Sequence, residues 1–216
     1  MSLILDHLFF ITGSDGAIAD QFRDLGWTEG SSNTHPGQGT SNRRFFFADF
    51  VLEVLFVSDA EEAANGTGKN LQIVDRSLQP GACPLGIVVR TQGANPGFPH
   101  WKYYPDYFPE NMYFSVGDNS GNFTEPLCIC MPIDLPKKRT GPGVGAEIQN
   151  NSSWVLSSVE IDLPLNEMST ALEAFSEIDN IVVCTGKSER LTLVFNHGVT
   201  GSSKDLEVGF PVTVRW

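Results

Sequence analysis

Apolar and polar positions along this chain follow two periodicities, and the switches between them divide it into elements. Residues 3–12 are apolar except at Asp6, His7 and Thr12 and read as a strand, closed by the turn cluster Gly13-Ser14-Asp15-Gly16. Over 15–25, Ile18, Phe22 and Leu25 recur at helical spacing, and Gly26 stands where a helix commonly ends. Residues 27–29 suit a short strand, 31–41 form a polar, Gly-rich loop, and 43–47 and 50–57 read as strands joined at Ala48-Asp49. The order strand, helix, strand, strand, strand recurs at the far end: 154–163 as a strand, 165–178 as a helix, then strands at 181–184, 191–195 and 206–214. Between these units, 59–64 and 71–77 suit short helices, and 85–90, 112–116 and 126–131 suit strands. Residues 92–110 make a long segment rich in Gly, Pro and aromatic side chains, of the kind that covers a pocket or plugs one end of a curved sheet. The pattern predicts an α+β protein with a first region at 1–136, a linker at 137–153 rich in Pro, Gly, Asn and Ser, and a C-terminal unit at 154–216.

Composition narrows the partners. At 216 residues and 41% hydrophobic, the chain has room for a real core. A net charge of −12 repels phosphate backbones and anionic lipid surfaces, so neither nucleic acid nor membrane is expected as a partner. The one compact basic run, Lys137-Lys138-Arg139, reads as a solvated loop. No basic stretch leads into an apolar run at the start, and no apolar run approaches the ~18 residues of a membrane span, so a cytoplasmic location is expected. Cys83, Cys128, Cys130 and Cys184 are scattered and fit reduced thiols; Cys128 and Cys130 alternate on one strand face, and no second cysteine pair completes a thiolate zinc site.

The candidate chemistry begins with His7. By period-two geometry it shares a strand face with Leu3, Leu5 and Phe9. Glu53 lies within Val51-Leu52-Glu53-Val54-Leu55-Phe56-Val57, and a carboxylate inside an apolar strand is expensive unless paired, hydrogen-bonded or bound to a metal. Arg43 or Arg44 would be its ordinary partner. In His35-Pro36-Gly37-Gln38-Gly39-Thr40, two glycines allow the backbone to approach a ligand, and His35, Gln38 and Thr40 offer hydrogen bonds. Asn42, Arg43 and Arg44 follow directly, and an arginine there would clamp a carboxylate or enolate oxygen or simply face water. No phosphate loop, dinucleotide fingerprint, nucleophile elbow or HExxH motif occurs.

Leu5-Asp6-His7-Leu8 resembles the opening of vicinal oxygen chelate proteins, the superfamily of glyoxalase I, extradiol dioxygenases and bleomycin-resistance proteins. Phe22-Arg23-Asp24-Leu25-Gly26-Trp27 is similar to the end of their first helix, and the 35–43 segment with Leu52-Glu53-Val54-Leu55 resembles the glyoxalase-like branch. The likeness is good over 3–62, weaker over 84–132, and one of pattern over 152–216. It implies paired βαβββ modules whose curved mixed sheets enclose a cleft, the first module at 1–62. In the metal enzymes of the superfamily the first strand of a module gives one ligand and its last strand a carboxylate, positions held here by His7 and Glu53, with His35 a third donor if its loop folds inward. The second module comes either from the central strands, with Gly86 and Cys128 at the ligand positions, or from the C-terminal unit, with Glu160 and Glu207.

Two functions follow from the resemblance. In the first, a divalent ion (Zn, Mn, Fe, Ni or Co) on His7 and Glu53 serves a lyase, isomerase or dioxygenase, those two residues being catalytic. In the second, the same cleft sequesters a small apolar or aromatic molecule without metal, as bleomycin-resistance proteins do. Gln38, Thr40, Asn42, Arg43, Arg44, Phe46, Trp101, Tyr104 and Cys128 are the expected ligand contacts in either case, and a homodimer is expected by analogy.

Overall fold

The computed structural model describes residues 3–131, apart from Gln92 and Ala94, and 150–216, apart from Val208. The linker expected at 137–153 lies outside the described residues as far as position 149, as do Lys137-Lys138-Arg139. Among the described residues, the chain forms β1 (Leu3–Thr12), α1 (Ala19–Arg23), β2 (Asn33–His35), β3 (Thr40–Phe46), β4 (Val51–Val57), α2 (Ala60–Asn65) and α3 (Ile73–Leu78). Then come β5 (Leu85–Thr91), β6 (His100–Tyr103), β7 (Phe114–Gly117) and β8 (Leu127–Met131). The last group is β9 (Leu156–Leu163), α4 (Thr170–Ser176), β10 (Ile181–Thr185), β11 (Arg190–Phe195), β12 (Ser203–Glu207) and β13 (Pro211–Arg215).

Strands β1 to β8 build one curved eight-stranded sheet in the order β2-β3-β4-β1-β5-β8-β7-β6. Its two halves are alike. In each, the first strand pairs in parallel with the last, β1 with β4 and β5 with β8, and the halves meet where β1 and β5 pair antiparallel. The partner half of the first module is thus built from the central segment of this same chain. The C-terminal unit forms a separate five-stranded sheet, β10-β9-β11-β13-β12.

One face of the large sheet is covered by the small one. Leu8, Phe10, Phe45, Leu52, Ile87 and Cys128 join Leu156, Ile161, Phe175, Leu193 and Phe195 in one core. Trp27 is its centre: it stacks on Phe22 at 5.3 Å and meets Phe47, Trp154 and Phe195 edge-on at 5.0–5.6 Å. The fully buried Asn151 ties the sheets together, accepting from Thr28 N at 2.8 Å and donating to the carbonyls of Thr28 and Phe46 at 2.9 and 3.1 Å. Helix α1 sits on the first half of the large sheet, with Phe22 against Phe10 and Phe45. Among the described residues no helix lies between β5 and β6, and α4 of the C-terminal unit covers the second half instead. Its Phe175 meets Phe98 at 5.2 Å, its Ser169 cap accepts from Leu172 N, and the buried Glu125 accepts from Ser169 N and Oγ at 2.8 and 2.5 Å.

Several elements differ from the sequence expectation, each for a physical reason. Strand β2 lies inside the expected polar loop; it is a solvated edge strand whose exposed Asn33 and Thr34 carry no apolar alternation. Strand β6, the other edge of the sheet, lies inside the aromatic segment, its Trp101 and Tyr103 turned to the cleft-side cluster. The single strand expected at 206–214 is a hairpin, β12 and β13, around Gly209 at φ 76°. The first helix is short because Asp15 and Gly16 take left-handed conformations. Leu3 and Leu5 do not share a face with His7: β1 bulges between Leu5, opposite Val89, and His7, opposite Val88. The inserted Asp6 reverses the alternation, so Leu5 joins the core face with Leu8 and Phe10, while Asp6, His7 and Phe9 all reach the other face.

Candidate functional site

That other face lines a cavity of about 540 Å³, within the usual range for small-molecule sites. Strand register sets its floor in two rows. One runs Phe46, Val51, His7, Val88, Ile129 across β3, β4, β1, β5 and β8; the next runs Arg44, Glu53, Phe9, Gly86, Leu127. Gly86 is part of the packing, since a Cβ there would lie 1.9 Å from Phe9 Cζ. Leu71 and Ile73 close one side, and Tyr107, Phe108, Pro109 and Met112, from the turn between β6 and β7, form the roof.

His7, Glu53, His35, Gln38, Arg44 and Phe46 all line the cavity. His7 Nδ1 lies 2.8 Å from Asp6 Oδ1, and Arg90 Nε donates to the other oxygen of Asp6. Burial works against a charge on His7, but the Glu53 carboxylate, then the hydrogen bond and charge of Asp6, outweigh it and raise its pKa above 6.5 despite Arg90. For Asp6 burial acts upward, and His7 and then Arg90 hold its carboxyl well below the usual range. Burial lowers the pKa of His35, with Arg44 and His7 adding to this and Glu53 opposing.

Thr40 and Asn42 are buried and act one layer back. Asn42 Nδ2 donates to Glu53 Oε2 at 3.0 Å, so the carboxylate takes an amide partner. Gln38 Nε2 donates to Thr40 Oγ1 at 2.8 Å, and that hydroxyl lies 2.9 Å from His35 Nδ1. Tyr103 and Tyr107 hydroxyls donate to Gln38 Oε1 at 3.4 and 3.3 Å, connecting roof to floor. Arg44 donates to Ser31 O and Oγ at 2.7 and 3.0 Å and packs on the Phe46 ring.

Four expected contacts stand elsewhere. Arg43 lies on the opposite face of β3 and pairs with Glu29 at 2.6 Å and Asp20 at 2.8 Å, because consecutive strand residues point to opposite sides. Cys128 is buried in the core between the sheets, again by alternation, since Ile129 takes the cleft face. Trp101 packs on the cleft-side cluster with its Nε1 donating to Ser120 Oγ at 3.0 Å, outside the cavity wall. Tyr104 is exposed against Tyr113. Gly37 and Gly39 bring the hairpin close to protein, not to a ligand: an added Cβ would lie 2.3 Å from Asp106 Oδ2 and from Asp59 O respectively. Sequence reasoning missed Asp6 and Arg90 as a pair. The bulge hid the first; the second is visible only as a lone cation closing the apolar run 85–89.

The divalent ion implied by the resemblance does not fit these residues. Among the described residues no group of three or more His, Cys, Asp or Glu is placed to hold an ion. His7 and Glu53 face, across the sheet, Val88, Ile129 and Met131, where a paired module would have to bring further oxygen or nitrogen donors. Glu160, the donor available from the C-terminal unit, faces Arg215 on the second sheet.

With this geometry in hand, the comparisons are informative. Residues 5–97 match the family model of a glyoxalase-like domain. Over those residues the chain is similar to a glyoxalase-like domain, of the vicinal oxygen chelate type, and the fold is α+β with curved mixed sheets around a cleft. A hypothetical protein from Staphylococcus aureus has the same overall fold, with a TM-score of 0.60 and 12% identity over 100% of this chain and 99% of that one. A hypothetical protein from Bacillus halodurans C-125 gives a TM-score of 0.40 at 10% identity over 61% of this chain and 94% of that one, too low for a shared fold to be read from it. No curated protein matches the chain. Among the described residues no helix is long and apolar enough to cross a membrane.

Proposed function

We propose that this protein binds a small organic molecule in the cleft of the eight-stranded sheet without a bound metal ion, in the manner of the sequestering members of the vicinal oxygen chelate superfamily. The observation that carries this reading is the asymmetry of the floor. Ionisable groups gather on β1 to β4, whereas on β5 and β8 the positions lining the cavity are Val88, Ile129 and Met131 apart from Arg90, which is engaged by Asp6, so the cavity offers an apolar bed and a polar end. Such a ligand would lay an apolar body against Val88, Ile129 and Met131 and turn a polar group toward His7 and Glu53. Both halves of the cleft come from one chain, so binding in this reading needs no second copy.

Elemental analysis of protein purified without a metal-binding tag tests it. The expected result is substoichiometric divalent metal and a melting temperature unchanged by chelator. A stoichiometric ion that disappears in both His7→Ala and Glu53→Ala would overturn this reading in favour of a metal-dependent lyase, isomerase or dioxygenase.

A further inference from the structure

Three side chains on the cavity wall keep one polar atom without a hydrogen-bond partner among the described residues. Glu53 has its Oε2 bonded to Asn42 and its Oε1 open; His7 and His35 each use Nδ1, toward Asp6 and Thr40, and leave Nε2. The direction of two of these bonds follows from their neighbours. Asp6 also receives Arg90, so it stands as a carboxylate and accepts from His7 Nδ1–H. Thr40 Oγ1 accepts from Gln38, which leaves its own proton to donate to an unprotonated His35 Nδ1 and puts the His35 proton on Nε2. The polar end of the cavity thus offers one negative acceptor, Glu53 Oε1 on β4, and a neutral donor, His35 Nε2–H on β2, either side of β3 at one edge of the sheet, with the open Nε2 of His7 beyond β4 on β1.

We infer, resting on the binding function just given, that the ligand is a neutral hydroxyl-bearing molecule, a phenol or alcohol with an apolar body, whose O–H donates to Glu53 Oε1 and whose oxygen accepts from His35 Nε2–H. The competing head groups each meet an obstacle. A carboxylate or sulfonate would face the open oxygen of Glu53. An ammonium would share the space with Arg44 and Arg90, which line the same cavity. A hydroxyl is both donor and acceptor and answers both open atoms at once. The apolar bed contributes equally to any head group and sets only the baseline affinity.

The test is a matched series on one ring system, read by calorimetric titration of the full chain: naphthalene, 2-naphthol, 2-naphthoate and 2-naphthylmethylammonium at neutral pH. The expected result is 2-naphthol binding about tenfold more tightly than naphthalene, the worth of one hydrogen bond to a charged group, with both ions weaker than 2-naphthol. Val88→Trp, which fills the cavity, should abolish binding of both neutral probes, and Glu53→Leu should bring 2-naphthol down to the level of naphthalene while the circular dichroism spectrum is retained. Equal affinity for the two neutral probes, or either ion binding tightest, overturns the hydroxyl assignment and leaves cleft binding standing. If no probe binds at millimolar concentration, or binding survives Val88→Trp, the binding function itself falls. The wild-type series decides the assignment even if Glu53→Leu does not fold.

Discussion

On the cleft face, β1, β3 and β4 carry His7, Arg44 and Glu53, whereas β5 and β8 carry Val88, Leu127 and Ile129 at the same two levels. The strand plan of the halves is the same and so is the curvature they share. On the core face they also match in kind, each half being capped by a helix that presses a phenylalanine onto it, Phe22 from α1 and Phe175 from α4. The difference is confined to the inner wall. A sheet held from outside by one large aromatic core tolerates a wide change of side chains on its inner wall, because much of the packing lies on the other face.

If that is right, charge should be far more costly in the second half than in the first. Ile129→Glu places a carboxylate where the register neighbours are aliphatic, and should lower stability by about 3–5 kcal/mol at neutral pH, the scale of an uncompensated buried charge, with the loss easing in acid. Denaturant unfolding at two pH values checks it; a loss under about 1 kcal/mol would mean that the halves are not chemically distinct. The next effect concerns the seam between them. Gly86→Ala drives a Cβ into the Phe9 ring and should cost about 1–3 kcal/mol, most of it returned in combination with Phe9→Leu. Additive losses in the double variant would mean the two residues do not share that space. The smallest effect is a shift in pH dependence. His7 has its folded pKa above the unfolded value of 6.5, so its contribution is fully present below that value and lost as pH rises through the folded pKa. Glu53→Gln removes the largest influence holding it up, so the loss should be smaller and should end at lower pH than in wild type. Stability measured in steps from pH 5 to 9 reads this out, and a loss of unchanged size and end point would detach Glu53 from His7.

Most of the strand plan was legible because β1, β4 and β5 are largely apolar runs and β9 and β11 carry regularly spaced apolar residues, all between clear breakers. Edge strands such as β2, whose side chains face water, leave no such trace, and the pairing of β1 with β5 across eighty residues has no local signal at all. The site was legible in part for the same reason. His7 and Glu53 stand out as ionisable residues in apolar strands, and alternation carries Gln38, Arg44 and Phe46 to the same face. Alternation equally sends Arg43 and Cys128 away once the starting face is known, and the sequence does not say which face that is. Asn42 illustrates a further gap: an amide reads as a ligand contact or as a support, and only the 3.0 Å bond to Glu53 decides between them.

The bulge in β1 has a consequence for how this strand came to carry a site. An ordinary strand cannot show two consecutive residues to the same side, so a histidine in one cannot have its carboxylate partner as its immediate predecessor. Counting along β1 without position 6, Leu5 and Leu8 still fall on the core side and His7 and Phe9 on the cleft side, as the register with β5 requires. The sheet therefore has no use for that residue. Asp6 is a supernumerary position whose carboxylate holds one nitrogen of an imidazole with one oxygen and the Arg90 guanidinium with the other, and the lengthening of a strand by a single amino acid is enough to turn a structural histidine into an oriented one.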